Sequence, residues 1–129
     1  MIVFVAGSGL SAVIRDQAAV GLTFIRPTRT APVYRLYVVR ERFAALVEVS
    51  EGGISVLGEL CDLDDAKAAE MLANEPPGVH QRAVKLDDGT TALGPVSTRD
   101  ILPPRSRDIS VFGGFAAYWA SRRSFPQSR

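Results

Sequence analysis

The sequence has a single cysteine, Cys61, and a single histidine, His80. One cysteine makes no intrachain disulfide. A structural zinc site draws on about four Cys or His ligands, so no metal or other cofactor is expected. A dominant charge is missing too: 15 Lys and Arg stand against 14 Asp and Glu, a net +1. No global field therefore draws the chain to nucleic acid or an anionic membrane. Nothing approaches the run of about 20 apolar residues that spans a bilayer. The apolar start, Met1 to Gly7, is short and lacks a basic leader. These absences set the expectation of a cytoplasmic protein with neither nucleic-acid nor membrane partners.

The 129 residues suit one domain, and 47% hydrophobic with 22% charged is an ordinary globular composition. Ile2 to Ala6 reads as a buried strand ended by a Gly7-Ser8-Gly9 turn. Leu10, Val13, Ile14 and Ala18 fall at helical spacing, with Gly21 as C-cap. Arg26 to Pro32 reads as a loop. Strands are expected at Val33–Val39, Ala45–Val49 and Ile54–Leu63, with a turn at Glu51-Gly52-Gly53. Asp64 caps a helix running to about Ala73, with Ala68, Met71 and Leu72 inward. Pro76-Pro77-Gly78 ends it.

Val79–Leu86 and Thr91–Val96 form a hairpin through Asp87-Asp88-Gly89. After a loop at 97–107, Asp108 or Ser110 caps a last helix whose core stripe is Ile109, Phe112, Ala116 and Trp119. Gly113-Gly114 inside it costs roughly 1 kcal/mol per glycine, which calls for close packing in return. Phe115, Tyr118 and Val111 exceed one stripe and predict a homodimer face. The expected class is α/β in the α+β sense: a small, mixed, largely antiparallel, β-barrel-like sheet flanked by three helices. Residues 1–123 form the domain and 124–129 a flexible tail.

Val5-Ala6-Gly7-Ser8-Gly9-Leu10-Ser11, Thr30-Ala31-Pro32-Val33-Tyr34-Arg35-Leu36-Tyr37, Asp87-Asp88-Gly89 and Asp108 to Tyr118 together resemble the C-terminal domain of allophanate hydrolases, within the γ-glutamylcyclotransferase-like superfamily. Gly58-Glu59-Leu60 and Glu75 to Arg82 are similar to the cyclotransferases themselves. The resemblance implies that Gly7-Ser8-Gly9-Leu10 is a substrate-holding loop and that Glu75 is a general acid/base. The sequence departs from the pattern at Ala6 and Gly9, where cyclotransferases carry Tyr and Asn. Ser97-Thr98 replaces the Cys-Glu pair of the allophanate hydrolases, and the Ser-Ser-Lys machinery of their amidase domain is absent.

Lactam formation from a γ-glutamyl amide needs a group that takes the attacking amine's proton and supplies the leaving one. One carboxylate does both, so Glu75 is the catalytic candidate; a solvated glutamate at a helix end is the plain alternative. Gly7, Ser8, Gly9 and Leu10 offer N–H groups to an anion, or simply make a tight turn. His80 and Tyr34 complete the ligand-binding candidates. Tyr34 and Tyr37 point to opposite strand faces, so at most one lines a pocket. Glu59 either turns inward with Leu57 and Cys61 or lies exposed. Arg26, Arg29 and Arg35 grip an anion or form a solvated basic loop, and Cys61 reads as a small buried hydrophobe. The leading reading is a relative of the allophanate hydrolase domain that binds a small carboxylate or urea-derived amide, or assembles with an amidase or with itself. The rival is an enzyme releasing 5-oxoproline through Glu75.

Overall fold

A computed structural model describes residues 1–124, with side chains through Arg122. The strands are β1 (Ile2–Val5), β2 (Leu22–Arg29), β3 (Tyr34–Val39), β4 (Phe43–Glu48), β5 (Leu57–Leu63), β6 (His80–Lys85), β7 (Thr91–Ser97) and β8 (Arg107–Asp108). The helices are α1 (Asp65–Ala73) and α2 (Phe115–Ser124). The architecture is α+β, with one mixed, mostly antiparallel sheet of order β2-β5-β1-β7-β4-β3-β8 and β6 paired to β7. Among the strand pairs of the described residues, only β1–β7 and β4–β7 run parallel. The sheet is not closed; one isolated bridge, Thr30 with Leu86, brings the end of β2 to the end of β6.

The hairpin through Asp87-Asp88-Gly89 forms as its turn chemistry demands. His80 pairs with Val96 and Lys85 with Thr91, antiparallel, and Gly89 takes φ 88°. The core gathers Val3, Phe4 and Val5 of β1, Leu36 and Val38 of β3, Leu46 of β4, Val84 of β6 and Phe115 of α2. Asp64 caps α1 as expected, its carboxylate accepting the Ala66 N–H at 2.9 Å. Ala68 and Met71 pack inward, but Leu72 stays 54% exposed. No residue of α1 is fully buried, so it lies over the sheet rather than in the core.

Four expectations need correction. First, no helix spans 10–18. Leu10 to Ile14 makes one turn, and Asp16 then caps a separate 3-10 turn over Gln17–Val20, which Gly21 closes at φ 82°. The Asp16 side chain starts a new local structure instead of continuing the old one. Two α-helices, not three, flank the sheet among the described residues.

Second, the expected loop from Arg26 belongs to β2. Pro27 sits in register with Glu59, which an edge strand tolerates because the missing N–H faces away from the ladder. Third, the last helix begins after the two glycines, not before them. Asp108 accepts the Ser110 N–H at the head of a 3-10 turn, Ser110–Phe112, and Gly113 (φ 77°) ends it. Gly114 then packs against Leu57, where a Cβ would meet the Leu57 carbonyl at 3.1 Å. Fourth, this restart shifts the helical register, so Phe115 and Tyr118 face the core while Phe112 is partly exposed. The face predicted for a homodimer is interior, apart from Val111 at 90% exposure. The expected tail lies outside the described residues except for Ser124, the last residue of α2.

Candidate functional site

Chain reversal after α1 builds the site. Asn74 closes the helix and Glu75 follows. Pro76, Pro77 and Gly78 (φ 86°) turn the chain into β6, with the Val79 N–H donating to the Pro76 carbonyl at 3.1 Å. Glu75 and His80 thereby come to line one groove of about 350 Å³. Its floor is apolar: Val3, Leu63 and Leu93 from neighbouring strands. Ala68, Met71 and Leu72 of α1 form one wall, and Gln81, Arg82 and Met1 complete the lining.

Glu75 is half-buried, and burial pushes its carboxyl above the ordinary range. The Gln81 side-chain amide, which donates to Glu75 Oε1 at 3.5 Å, pulls the other way. His80 is exposed at the start of β6. A carboxyl with a raised proton affinity both donates and accepts hydrogen bonds closer to neutrality than a solvated one. An apolar floor with a few polar groups at one end suits a small amide or carboxylate.

The glycine loop lies elsewhere. None of Gly7, Ser8, Gly9 or Leu10 lines the groove. Neither Gly7 nor Gly9 takes a positive φ. Gly7 is required by proximity: a Cβ there would stand 2.8 Å from the Ala44 backbone nitrogen. The donors beside this loop already hold a carboxylate, that of Glu59. The Ser11 N–H donates to Glu59 Oε1 at 2.9 Å, the Ser11 hydroxyl to Oε2, and the Gln17 amide to Oε1 at 3.0 Å. Gln17 also reaches the Gly9 carbonyl at 2.9 Å.

Tyr34 is 1% exposed in the core, with its hydroxyl accepting the Lys85 N–H at 2.9 Å. Neither it nor Tyr37 lines the groove. The three arginines weighed as anion grips face carboxylates: Arg26 with Asp88 at 3.6 Å, Arg29 with Asp87 at 3.8 Å, and Arg35 bidentate to Asp108 at 3.0 and 3.2 Å. Cys61 is buried, and burial together with the Glu59 charge pushes its thiol up to about 11. It is inert as a nucleophile there.

Gln81 and the Ser11–Glu59–Gln17 network escaped the sequence reading. Gln81 alternates with His80 and Arg82 along β6, and only the position of Glu75 across the turn gives it a role. Glu59 drew notice as a possible inward carboxylate, but nothing local ties it to residues 42 and 48 positions away.

No protein of curated function matches the sequence. Among solved structures, a uropathogenic E. coli-specific protein is 29% identical with a TM-score of 0.79, over 92% of this chain and 94% of that one. The Kluyveromyces lactis allophanate hydrolase superposes with a TM-score of 0.79 at 20% identity, over 94% of this chain but 21% of that one. The K. lactis urea amidolyase gives 0.79 at 20% identity, over 95% of this chain and 8% of that one. At that identity these two show a shared fold, held here by a chain matching a small part of each. The profile of the allophanate hydrolase C-terminal domain matches residues 1–120, nearly the whole described chain, and the protein belongs to that family.

Proposed function

We propose that the groove under α1 binds a small carboxylate or urea-derived amide, and that the domain works beside an amidase. The observation that carries the first part is the half-buried Glu75 at the polar end of an apolar groove, next to His80, Gln81 and Arg82. A carboxyl with raised proton affinity accepts an amide N–H when ionised and donates to a carbonyl when protonated. Arg82 and His80 supply cationic or donor groups for a carboxylate. The second part is supported by the two K. lactis proteins, named as a hydrolase and an amidolyase, in which this fold is a minor share of a longer chain.

The test is a chemical-shift titration of the ¹⁵N-labelled protein with acetate, urea, biuret and ureido acids. Shifts clustered at Glu75, His80–Arg82 and Leu93 are expected. Shifts scattered over the surface, or none, reject the groove as a ligand site. Co-expression with an amidase and co-purification in a fixed ratio tests the partnership, with light scattering to distinguish self-association.

A second reading is favoured by the same carboxyl. As a cyclotransferase, the domain would let the α-amine of a γ-glutamyl amide attack its own γ-carbonyl. A new C–N bond forms, the old one breaks, and Glu75 carries the proton from the attacking nitrogen to the leaving amine. Glu75→Gln should then lower 5-oxoproline release by about 10²–10⁴. Equal release from both proteins excludes Glu75 as the acid/base. No release from either leaves the binding reading in place.

A further inference from the structure

Beside the β3–β4 turn, two arginines and a tyrosine converge on one carboxylate oxygen. Glu41 Oε1 accepts from Arg107 Nη2 at 2.7 Å, Arg122 Nη1 at 3.0 Å and the Tyr118 hydroxyl at 3.2 Å. Arg107 also donates to the Tyr118 oxygen at 2.6 Å. Both guanidiniums sit against the Tyr118 ring, at 5.7 and 5.8 Å from its centre. Tyr118 itself is buried, so the ring is a fixed platform for two flexible cations.

Glu41 reaches this position at a cost. It occupies the β3–β4 turn with Arg40, and both take positive φ, 64° and 53°. Such turns favour Asn or Gly, because a Cβ crowds the backbone in that region. Nearby, Arg105 also takes a positive φ, 71°. The β3–β8 register pairs Val38 with Arg107, so its continuation brings Arg40 and Arg105 to the same end. Arg42 adds a further cation beside the turn. Against a net charge of +1 for the whole chain, this end concentrates positive charge around a strained carboxylate. Left-handed residues with side chains are costly and persist only where the surroundings hold them. The ion pairs are half exposed, at 53% for Arg107 and 54% for Glu41, so exchanging one carboxylate for another loses little.

We propose that Arg107, Tyr118 and Arg122 form an oxyanion-binding site for a carboxylate-bearing ligand, which Glu41 fills when no ligand is present. Ligand entry releases Glu41 and lets the β3–β4 turn relax. A carboxylate is the assigned ligand because a carboxylate is what the donors already hold. None of these four residues lines the groove at Glu75.

The test uses Glu41→Gly and Glu41→Asn, both of which tolerate positive φ and so keep the turn. Acetate and inorganic phosphate are titrated against chloride at constant ionic strength, read by side-chain resonances of Arg107, Arg122 and Tyr118. Both variants should bind acetate about tenfold more tightly than the wild type, equivalent to ~1.4 kcal/mol. Adding Arg107→Met should abolish the gain. Unchanged acetate affinity in both Glu41 variants overturns the site, as does a gain that survives Arg107→Met. Tighter binding of phosphate than of acetate overturns the carboxylate assignment.

Discussion

Gly78 joins the two halves of the groove, because it lies between Glu75 and His80. Its φ is +86°, and a Cβ there would stand 2.2 Å from the Ile101 carbonyl oxygen. Gly52 and Gly89 have similar φ, +76° and +88°, but nothing within 4 Å of a Cβ. The three sites therefore separate backbone strain from collision. Placing Ala in the left-handed region costs about 1–2 kcal/mol, and the stiffer unfolded chain returns about 0.4–1 kcal/mol. Gly52→Ala and Gly89→Ala should each lose about 1 kcal/mol or less. At Gly78 the methyl meets a backbone carbonyl that cannot rotate away, so an overpacking cost of about 1–3 kcal/mol is added. Gly78→Ala should then lose about 2–4 kcal/mol, lowering the thermal midpoint by about 10 °C. Urea titration of the three variants beside the wild type measures this directly. The His80 ring signals should move in Gly78→Ala and stay put in the other two. If Gly78→Ala loses no more than Gly89→Ala, the turn is not packed against the 97–107 loop as described, and the placement of Glu75 beside His80 falls with it.

The pH dependence of stability follows from Glu75. Its carboxyl is raised in the folded state, so its contribution is fully present below its ordinary pKa of 4.5 and is lost as pH rises through the folded value. Glu75→Gln should therefore raise the midpoint at pH 7 and leave it near wild type at pH 4; the reverse order would refute the burial argument. Glu59→Ala removes the acceptor of Ser11 and Gln17 at a partly exposed site and should cost about 1–2 kcal/mol in urea titration. Since Gln17 also covers Cys61, 4.0 Å from its sulfur, native-state alkylation of Cys61 should be slow in the wild type and faster in this variant. Phe115→Ala should lose about 3–5 kcal/mol as a core truncation, whereas Val111→Ser, at an almost fully exposed position, should stay within about 0.5 kcal/mol.

The parts of the fold legible in the sequence are those fixed by short-range chemistry. Asp87-Asp88-Gly89 requires a tight turn whatever surrounds it, and the hairpin formed with its expected pairing. Asp64 caps α1 for the same reason, and the helix ends at Ala73 as read. The misread segments are those where a distant partner overrides the local pattern. Leu10 to Ala18 has helical spacing, but Glu59 of β5 holds Ser11 and Gln17, and Asp16 restarts the chain. Arg26 to Arg29 looks like a loop, but seven partners along β5 hold β2 in the sheet. Gly113-Gly114 reads as needing close packing, which Leu57 provides at Gly114, whereas Gly113 has open space around it and serves through its φ of 77°. Their effect on register was not legible, because it depends on where α2 starts again.

The candidate site divides along the same line. The sequence places Glu75 after a helix and before a Pro-Pro-Gly turn, and that local arrangement brings it to the groove with His80. The glycine loop was joined to it only by resemblance, and no local rule fixes the distance between a β1–β2 connection and the end of α1. In the structure each carboxylate answers to its own surroundings. Glu59 is satisfied by three donors from the loop, as a carboxylate that secures a chain segment must be. Glu75 has one long hydrogen bond and an apolar floor, which leaves its remaining hydrogen-bonding capacity for something else. A half-buried carboxyl with so little internal satisfaction is costly unless a partner arrives. That asymmetry, which only the folded arrangement displays, is why we propose a ligand at Glu75 rather than at the loop.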